Sequence, residues 1–193
     1  MDISHEEILD FWQNEITEPG WYVQDDAIDQ KIRNRYLETW QKAREGGYDH
    51  WGCRPSHSLA LLILLDQFPR NMFRGSGESF ATDAKARKIA KRAIYMRNDL
   101  KIDKPMRQFF YLPLMHSEVL ADQDTGVRMF KLRMDPEGTL LHPRAHRQVI
   151  REFGRFPYRN DALGRASTPA EREYLEAGAY MHTVKSLETQ GKA

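Results

Sequence analysis

The run Leu59–Leu65, LALLILL, is apolar around its whole circumference if it is helical. A helix with no polar face cannot lie on a surface, so this segment must sit at the centre of the fold, covered by other elements on several sides. At seven residues it is far too short to span a bilayer. Ser56 or Ser58 can open the helix, and the chain around it must then supply the covering layers.

Those layers read as helices. Ser4 and Glu7 form an S-x-x-E capping box ahead of Ile8, Leu9, Phe11 and Trp12, which predicts a helix over about 4–16. Asp25 or Asp26 caps a longer helix with Ile28, Ile32, Tyr36, Leu37 and Trp40 on one face, ended by Gly46-Gly47; Asp29 and Arg33 are spaced i,i+4 and are expected to pair. Thr82 or Asp83 opens a helix whose Ala86, Ala90 and Ala93 suit close packing. Pro105 fits the first turn of PMRQFFYLPLMHSEVL, with a kink or break at Pro113, where a continuing helix would lose about 3 kcal/mol. Helices follow over about 122–133, ended by MDPEGT, and from Pro143 to Glu152 or Gly154. Thr168-Pro169-Ala170-Glu171 starts a last one of about 20 residues. The expected architecture is all-α: one domain over 1–193, with seven or eight helices in antiparallel pairs.

Composition narrows the function classes. Twenty-nine Lys and Arg against 28 Asp and Glu leave a formal charge of +1, so no global field draws the protein to nucleic acid or to an acidic membrane, and any basic site must be local. The single cysteine, Cys53, excludes an internal disulfide and a thiolate-rich zinc site, which suits a reducing cytoplasm. The acidic start, MDISHEEILDFW, does not read as a signal peptide.

Two related stretches carry the candidate chemistry: LLDQFPRNMFRG, Leu64–Gly75, and FGRFPYRNDALGR, Phe153–Arg165. Each sets a Phe-Pro step before Arg and Asn. Proline pushes the residue before it towards extended backbone, so both steps are expected to stop a helix, with Asn71 and Asn160 suited to the turn. On that reading Asp66 sits at a helix C-terminus, where the dipole disfavours a carboxylate, and an ordinary i,i+4 pair with Arg70 is not expected, although Arg70 or Arg74 can fold back on it. Arg70, Arg155 and Arg159 need either carboxylate partners or an anion.

Further polar groups follow Pro113. His116, Ser117 and Glu118 are acid–base candidates, although residues i and i+2 point about 200° apart on a helix and would not share an ion. His142 and His146 are spaced i,i+4 but lack the Glu of H-E-x-x-H, with Arg144 and Arg147 opposing a cation, so no metal is assigned. RGSGES, 74–79, lacks the strand and lysine of a phosphate loop.

Taken together, LALLILLDQFPRNMFRG…FATDAKA, FFYLPLMHSE…DQ and HRQVIREFGRFPYRNDALGRASTPAEREYL resemble the bacterial domain of unknown function 924 family (DUF924) over nearly the whole chain. The resemblance implies an all-α fold similar to tetratricopeptide repeats and no particular activity. The family's polar positions fall on Asp66, Gln67, Arg70, Asn71, His116, Ser117, Glu118, His146, Arg155, Arg159 and Asn160. This chain departs at Tyr158, where the family pattern leads one to expect histidine.

Two functional readings follow. In the first, Asp66, His116, Glu118 and His146 are acid–base groups, while Gln67, Arg70, Asn71, Ser117, Arg155, Arg159 and Asn160 hold a small anionic ligand at one site, with or without catalysis and with no cofactor specified. In the second, the helices form a protein- or peptide-binding module. A third, purely structural account makes the same residues an ion network that fixes helix register. Neither a nucleic-acid nor a membrane partner is expected.

Overall fold

A computed structural model describes residues 3–135 and 139–190. The chain is helical, with no strand among the described residues. It divides after Pro113 into two compact units.

In the first unit the Ser4–Glu7 capping box forms as expected and opens α1 (His5–Asp10), which widens into a π-helical stretch, Phe11–Ile16. A short α2 (Thr17–Gly20) follows. The Asp25 carboxylate accepts from the N–H groups of Ala27 and Ile28 and starts α3 (Asp26–Arg44). Beyond its end, Gly46 takes the left-handed backbone, φ +103°, that an L side chain adopts only with strain. The apolar run lies in α4 (Pro55–Leu62) and the π-helical stretch Ile63–Gln67, and Leu59 to Leu65 are all buried. α1 covers this segment on one side and α6 (Asp83–Tyr95) on another, the latter through buried Ala86, Ala90 and Ala93. Phe11, Trp12, Trp21, Tyr36 and Phe68 pack edge-on, tilted or stacked within the same core. Each such fully buried side chain contributes on the order of 2 kcal/mol.

Pro69 does not stop the helix. Phe68 is helical (φ −60°, ψ −38°), and the chain continues as α5 (Phe68–Met72). The π-helical turn makes room for the ring, and the Phe68 N–H reaches back to the Ile63 carbonyl. The carbonyl that a proline at 69 strands is that of Leu65, four residues back. It accepts instead from the Thr82 hydroxyl at 2.5 Å. Thr82, expected as a cap, therefore makes no capping bond and supports the neighbouring helix. Because the helix runs on, Asn71 is helical rather than a turn residue. A second correction concerns Asp29: its partners are Arg74 and Asn71, whereas Arg33 donates to the Met72 carbonyl.

Before Pro113 the chain forms a 3-10 turn, Met106–Phe110, and then α7 (Leu112–Met115), so the expected break replaces one long helix. In the second unit α8 (Leu120–Arg133) packs on α9 (Leu141–Phe153), and α9 packs on α11 (Ala179–Gln190). The stop expected at MDPEGT falls partly on 136–138, outside the described residues. α9 ends at Gly154, left-handed at φ +70°, and not at the proline three residues on. Pro157 opens a 3-10 turn, Pro157–Arg159, after an extended Phe156, and Asn160 is right-handed. The Thr168–Glu171 capping box forms and starts α10 (Pro169–Glu176). The single last helix predicted is two, because Gly178 (φ +107°) and Ala179 (φ +51°), the first residue of α11, turn the chain between them. Val149, Ile150, Phe156 and Tyr174 make the buried centre of this unit.

Candidate functional site

Asp66, Gln67, Arg70 and Asn71 belong to the first unit, and the other seven candidates belong to the second.

In the first unit the unbroken helix sets Arg70 one turn after Asp66, and the i,i+4 pair does form. Arg70 Nη1 lies 3.3 Å from Asp66 Oδ1 and donates to the Asp66 carbonyl at 2.5 Å, while Nη2 reaches Asp83 Oδ2 at 2.9 Å. Asp66 is buried, and the guanidinium meets its charge. On the next face, Gln67 donates to Asn71 Oδ1 (3.0 Å) and to the Trp21 carbonyl (3.4 Å). Asn71 donates to Asp29 (2.8 Å), which Arg74 grips with two nitrogens at 2.7 and 2.9 Å. These four side chains tie the α4–α5 run to α3 and α6. Asp29, Arg74 and Asp83 complete the arrangement and escaped the sequence reading. Arg74 was noted there only as a possible partner of Asp66, and Asp29 was matched to its neighbour on the same helix.

The second unit contains two connected ion pairs and one imidazole cluster. Glu118 accepts the Phe156 N–H (2.8 Å) and is held by Arg165 through two nitrogens at 2.8 and 3.1 Å. Burial would raise its pKa, but the Arg165 and Phe156 hydrogen bonds outweigh this and hold the carboxyl below its usual value. Arg165 also donates to Asn160 Oδ1 (3.0 Å), and Asn160 donates to Ser167 (3.0 Å). Arg155 grips Glu171 through Nε (2.6 Å) and Nη2 (2.7 Å), which holds that carboxyl down at about 2. Ser117 donates to Asp122 (2.8 Å) and accepts from the Val119 N–H (3.2 Å), bracing the turn into α8. Arg165 was not singled out from the sequence, and Glu171 was read only as a cap, although it does both jobs.

His116 and His146 come together, ring centroids 6.1 Å apart and edge to face. Around His146 lie Tyr180 (4.6 Å) and Phe156 (5.7 Å). The Arg159 guanidinium lies over the Phe156 ring at 4.4 Å, and Tyr158 stacks against Phe156 at 5.3 Å. His146 Nδ1 is 2.9 Å from the His142 carbonyl and 3.1 Å from Tyr180 Oη. A carbonyl can only accept, so the proton of neutral His146 is on Nδ1 and the lone pair is on Nε2. The Tyr180 hydroxyl then serves His142 Nδ1, at 2.7 Å. Burial, followed by electrostatic repulsion from the neighbouring His116, lowers the His146 pKa to about 3, with Arg159 adding to the effect. His142, set aside as a metal ligand, thus orients His146, and Tyr180 is a member that no local pattern marked. Among the described residues no group of three or more His, Cys, Asp or Glu side chains is placed to hold a metal ion.

This chain belongs to the bacterial family of proteins of unknown function DUF924, whose model matches residues 8–179. It is similar to a solved protein of unknown function from Agrobacterium tumefaciens, at 39% identity and a TM-score of 0.84, over 90% of this chain and 97% of that one. No curated protein matches it.

Proposed function

We propose that the second unit binds a small anionic ligand at His116, His146 and Arg159, with Tyr158 and Tyr180 as aromatic walls. The observation that carries this reading is the state of His146: a neutral imidazole in a positive local field, next to a buried guanidinium on an aromatic face. An anion placed there relieves the field, and it raises the pKa of His146 so that binding takes up a proton. A pKa near 3 makes His146 a weak proton acceptor at neutral pH, so the reading is binding first. Catalysis would need the ligand itself to restore the basicity. Glu118, Arg155 and Asn160 support this site by positioning the 155–165 segment, and the exposed, free Cys53 fits a cytoplasmic setting.

The test is a thermal-shift screen against carboxylates and inorganic phosphate at pH 6 and pH 8, with His146→Ala and Arg159→Met alongside. A shift in the wild type, larger at pH 6 and lost in both variants, supports the site. No shift with any anion, or one that survives in both variants, rejects it.

A tetratricopeptide-like, peptide-binding role is the second reading. It is favoured by a groove of about 420 Å³ lined by Glu152, Phe153, Tyr174, His182 and Leu187 among α9, α10 and α11. Peptide binding there would be insensitive to His146→Ala.

A further inference from the structure

The near-zero total charge hides one segment of opposite character. Between Asp83 and Arg107 there are nine Lys and Arg and three Asp, while the whole chain carries only +1. The excess is on the surface: Lys88, Lys91, Arg92, Arg97, Lys101 and Lys104 are all exposed.

Within this basic ring the chain turns three apolar side chains outward. Tyr95 is 88% exposed, Met96 45% and Leu100 44%. Their exposure is built in. The buried face of α6 is Ala86, Ala90 and Ala93, which leaves the opposite face to solvent as far as Tyr95. The turn after Met96 is pinned from beneath by Asn98, buried and donating to the Cys53 carbonyl at 3.5 Å. Asp99, fully buried, accepts from the Tyr111 hydroxyl at 2.6 Å. Arg97, just before them, takes a left-handed backbone, φ +58°. With 98 and 99 fixed inward, residues 95, 96 and 100 cannot fold back into the core.

From these observations we infer that the end of α6 and the turn to Lys101 form a peripheral docking surface for an anionic lipid membrane. Tyr95, Met96 and Leu100 enter the interface, and the surrounding lysines and arginines meet the headgroups. Charge complementarity selects an anionic surface, and the apolar tip selects lipid over nucleic acid. A tyrosine alone would serve base stacking, but an adjacent Met and Leu gain most from acyl chains. The expectation of no membrane partner rested on the whole-molecule charge, which is blind to a local excess. No helix among the described residues is long and apolar enough to cross a membrane, so the contact is peripheral.

The full chain is sedimented with phosphatidylcholine vesicles with and without phosphatidylglycerol. The expected result is binding to the anionic vesicles alone. It should weaken as added salt shortens the Debye length from about 10 Å at 0.1 M to about 3 Å at 1 M. Lys88→Ala and Lys101→Ala should each reduce the partition coefficient about fivefold. The triple variant Tyr95→Ser, Met96→Ser, Leu100→Ser should abolish binding with an unchanged circular dichroism spectrum, since all three side chains are exposed. Absence of binding, equal binding to neutral vesicles, or full binding by the triple variant would overturn the inference. So would an oligonucleotide that binds through Lys88 and Lys101 while the vesicles do not.

Discussion

Arg155 and Glu171 form a two-pronged ion pair, Nε to Oε1 at 2.6 Å and Nη2 to Oε2 at 2.7 Å, in which the carboxylate also caps α10 through the Thr168 N–H. The arginine that the sequence offered to an anion is therefore committed to a residue 16 positions on. Arg155→Ala should lower stability, seen as a lower urea midpoint, because a buried carboxylate loses its donor. Glu171 titrates near 2 when folded, against 4.5 ordinarily. Its contribution is present above pH 4.5 and is lost as pH falls towards 2. The variant should show a smaller loss of stability over that window, and an anion-induced thermal shift should weaken in it without vanishing, because Arg155 positions the 155–165 segment and does not itself meet the ligand.

His146 works on a higher pH window. Its folded pKa, about 3, lies below the ordinary 6.5, so the unfolded chain binds the proton first and stability declines as pH drops from 6.5 towards 3. His146→Gln should flatten that decline in urea midpoints taken across the range. His57, held low by burial and by the His5 ring stacked on it at 3.5 Å, contributes in the same direction. A His57→Gln control separates the two, and an unchanged slope in His146→Gln would refute the assignment.

Arg70 links Asp66 to Asp83 across α5 and α6. Arg70→Met should cost about 3–5 kcal/mol, because it strands the buried Asp66 carboxylate. Adding Asp66→Asn should recover part of the loss, so a double-mutant cycle should return a coupling well above 0.5 kcal/mol. Additive losses would show that the two side chains act independently.

Gly154 ends α9 in the left-handed conformation at φ +70°, and an added Cβ would meet nothing within 4 Å. Gly154→Ala should therefore cost only the backbone term, about 1 kcal/mol, with the Asn variant milder. A larger loss in thermal unfolding would mean that the 155–165 loop moves as well.

Apart from the Asp66–Arg70 pair, which the expected stop at Pro69 hid, bonds between residues three or four apart could be read directly. The Ser4–Glu7 and Thr168–Glu171 boxes, the Asp25 cap and the all-round apolar LALLILL each follow from local stereochemistry and a single period. Pro69 was misread because the remedy for its stranded carbonyl is the Thr82 hydroxyl, 17 residues beyond Leu65. Asp29 was misread for the same reason: Arg33 is its neighbour on the helix, but Asn71 and Arg74 reach it from a segment 42 and 45 residues further along the chain. His116 and His146 were marked by type, whereas Tyr180, the hydroxyl between His142 and His146, had no pattern to mark it.

By itself the sequence determined that this protein is helical, which segment lies at its centre and where most of its helices begin, since propensity, capping and periodicity act within a turn or two of chain. Only the tertiary structure decided which charges face one another. That choice made Glu118 and Arg155 partners of Arg165 and Glu171, drew Asp66 and Asp83 to one arginine, and set His146 neutral beside His116. The physical reason is that ion pairing and desolvation depend on distance and burial in space, and spacing along the chain does not carry either one across a folded core.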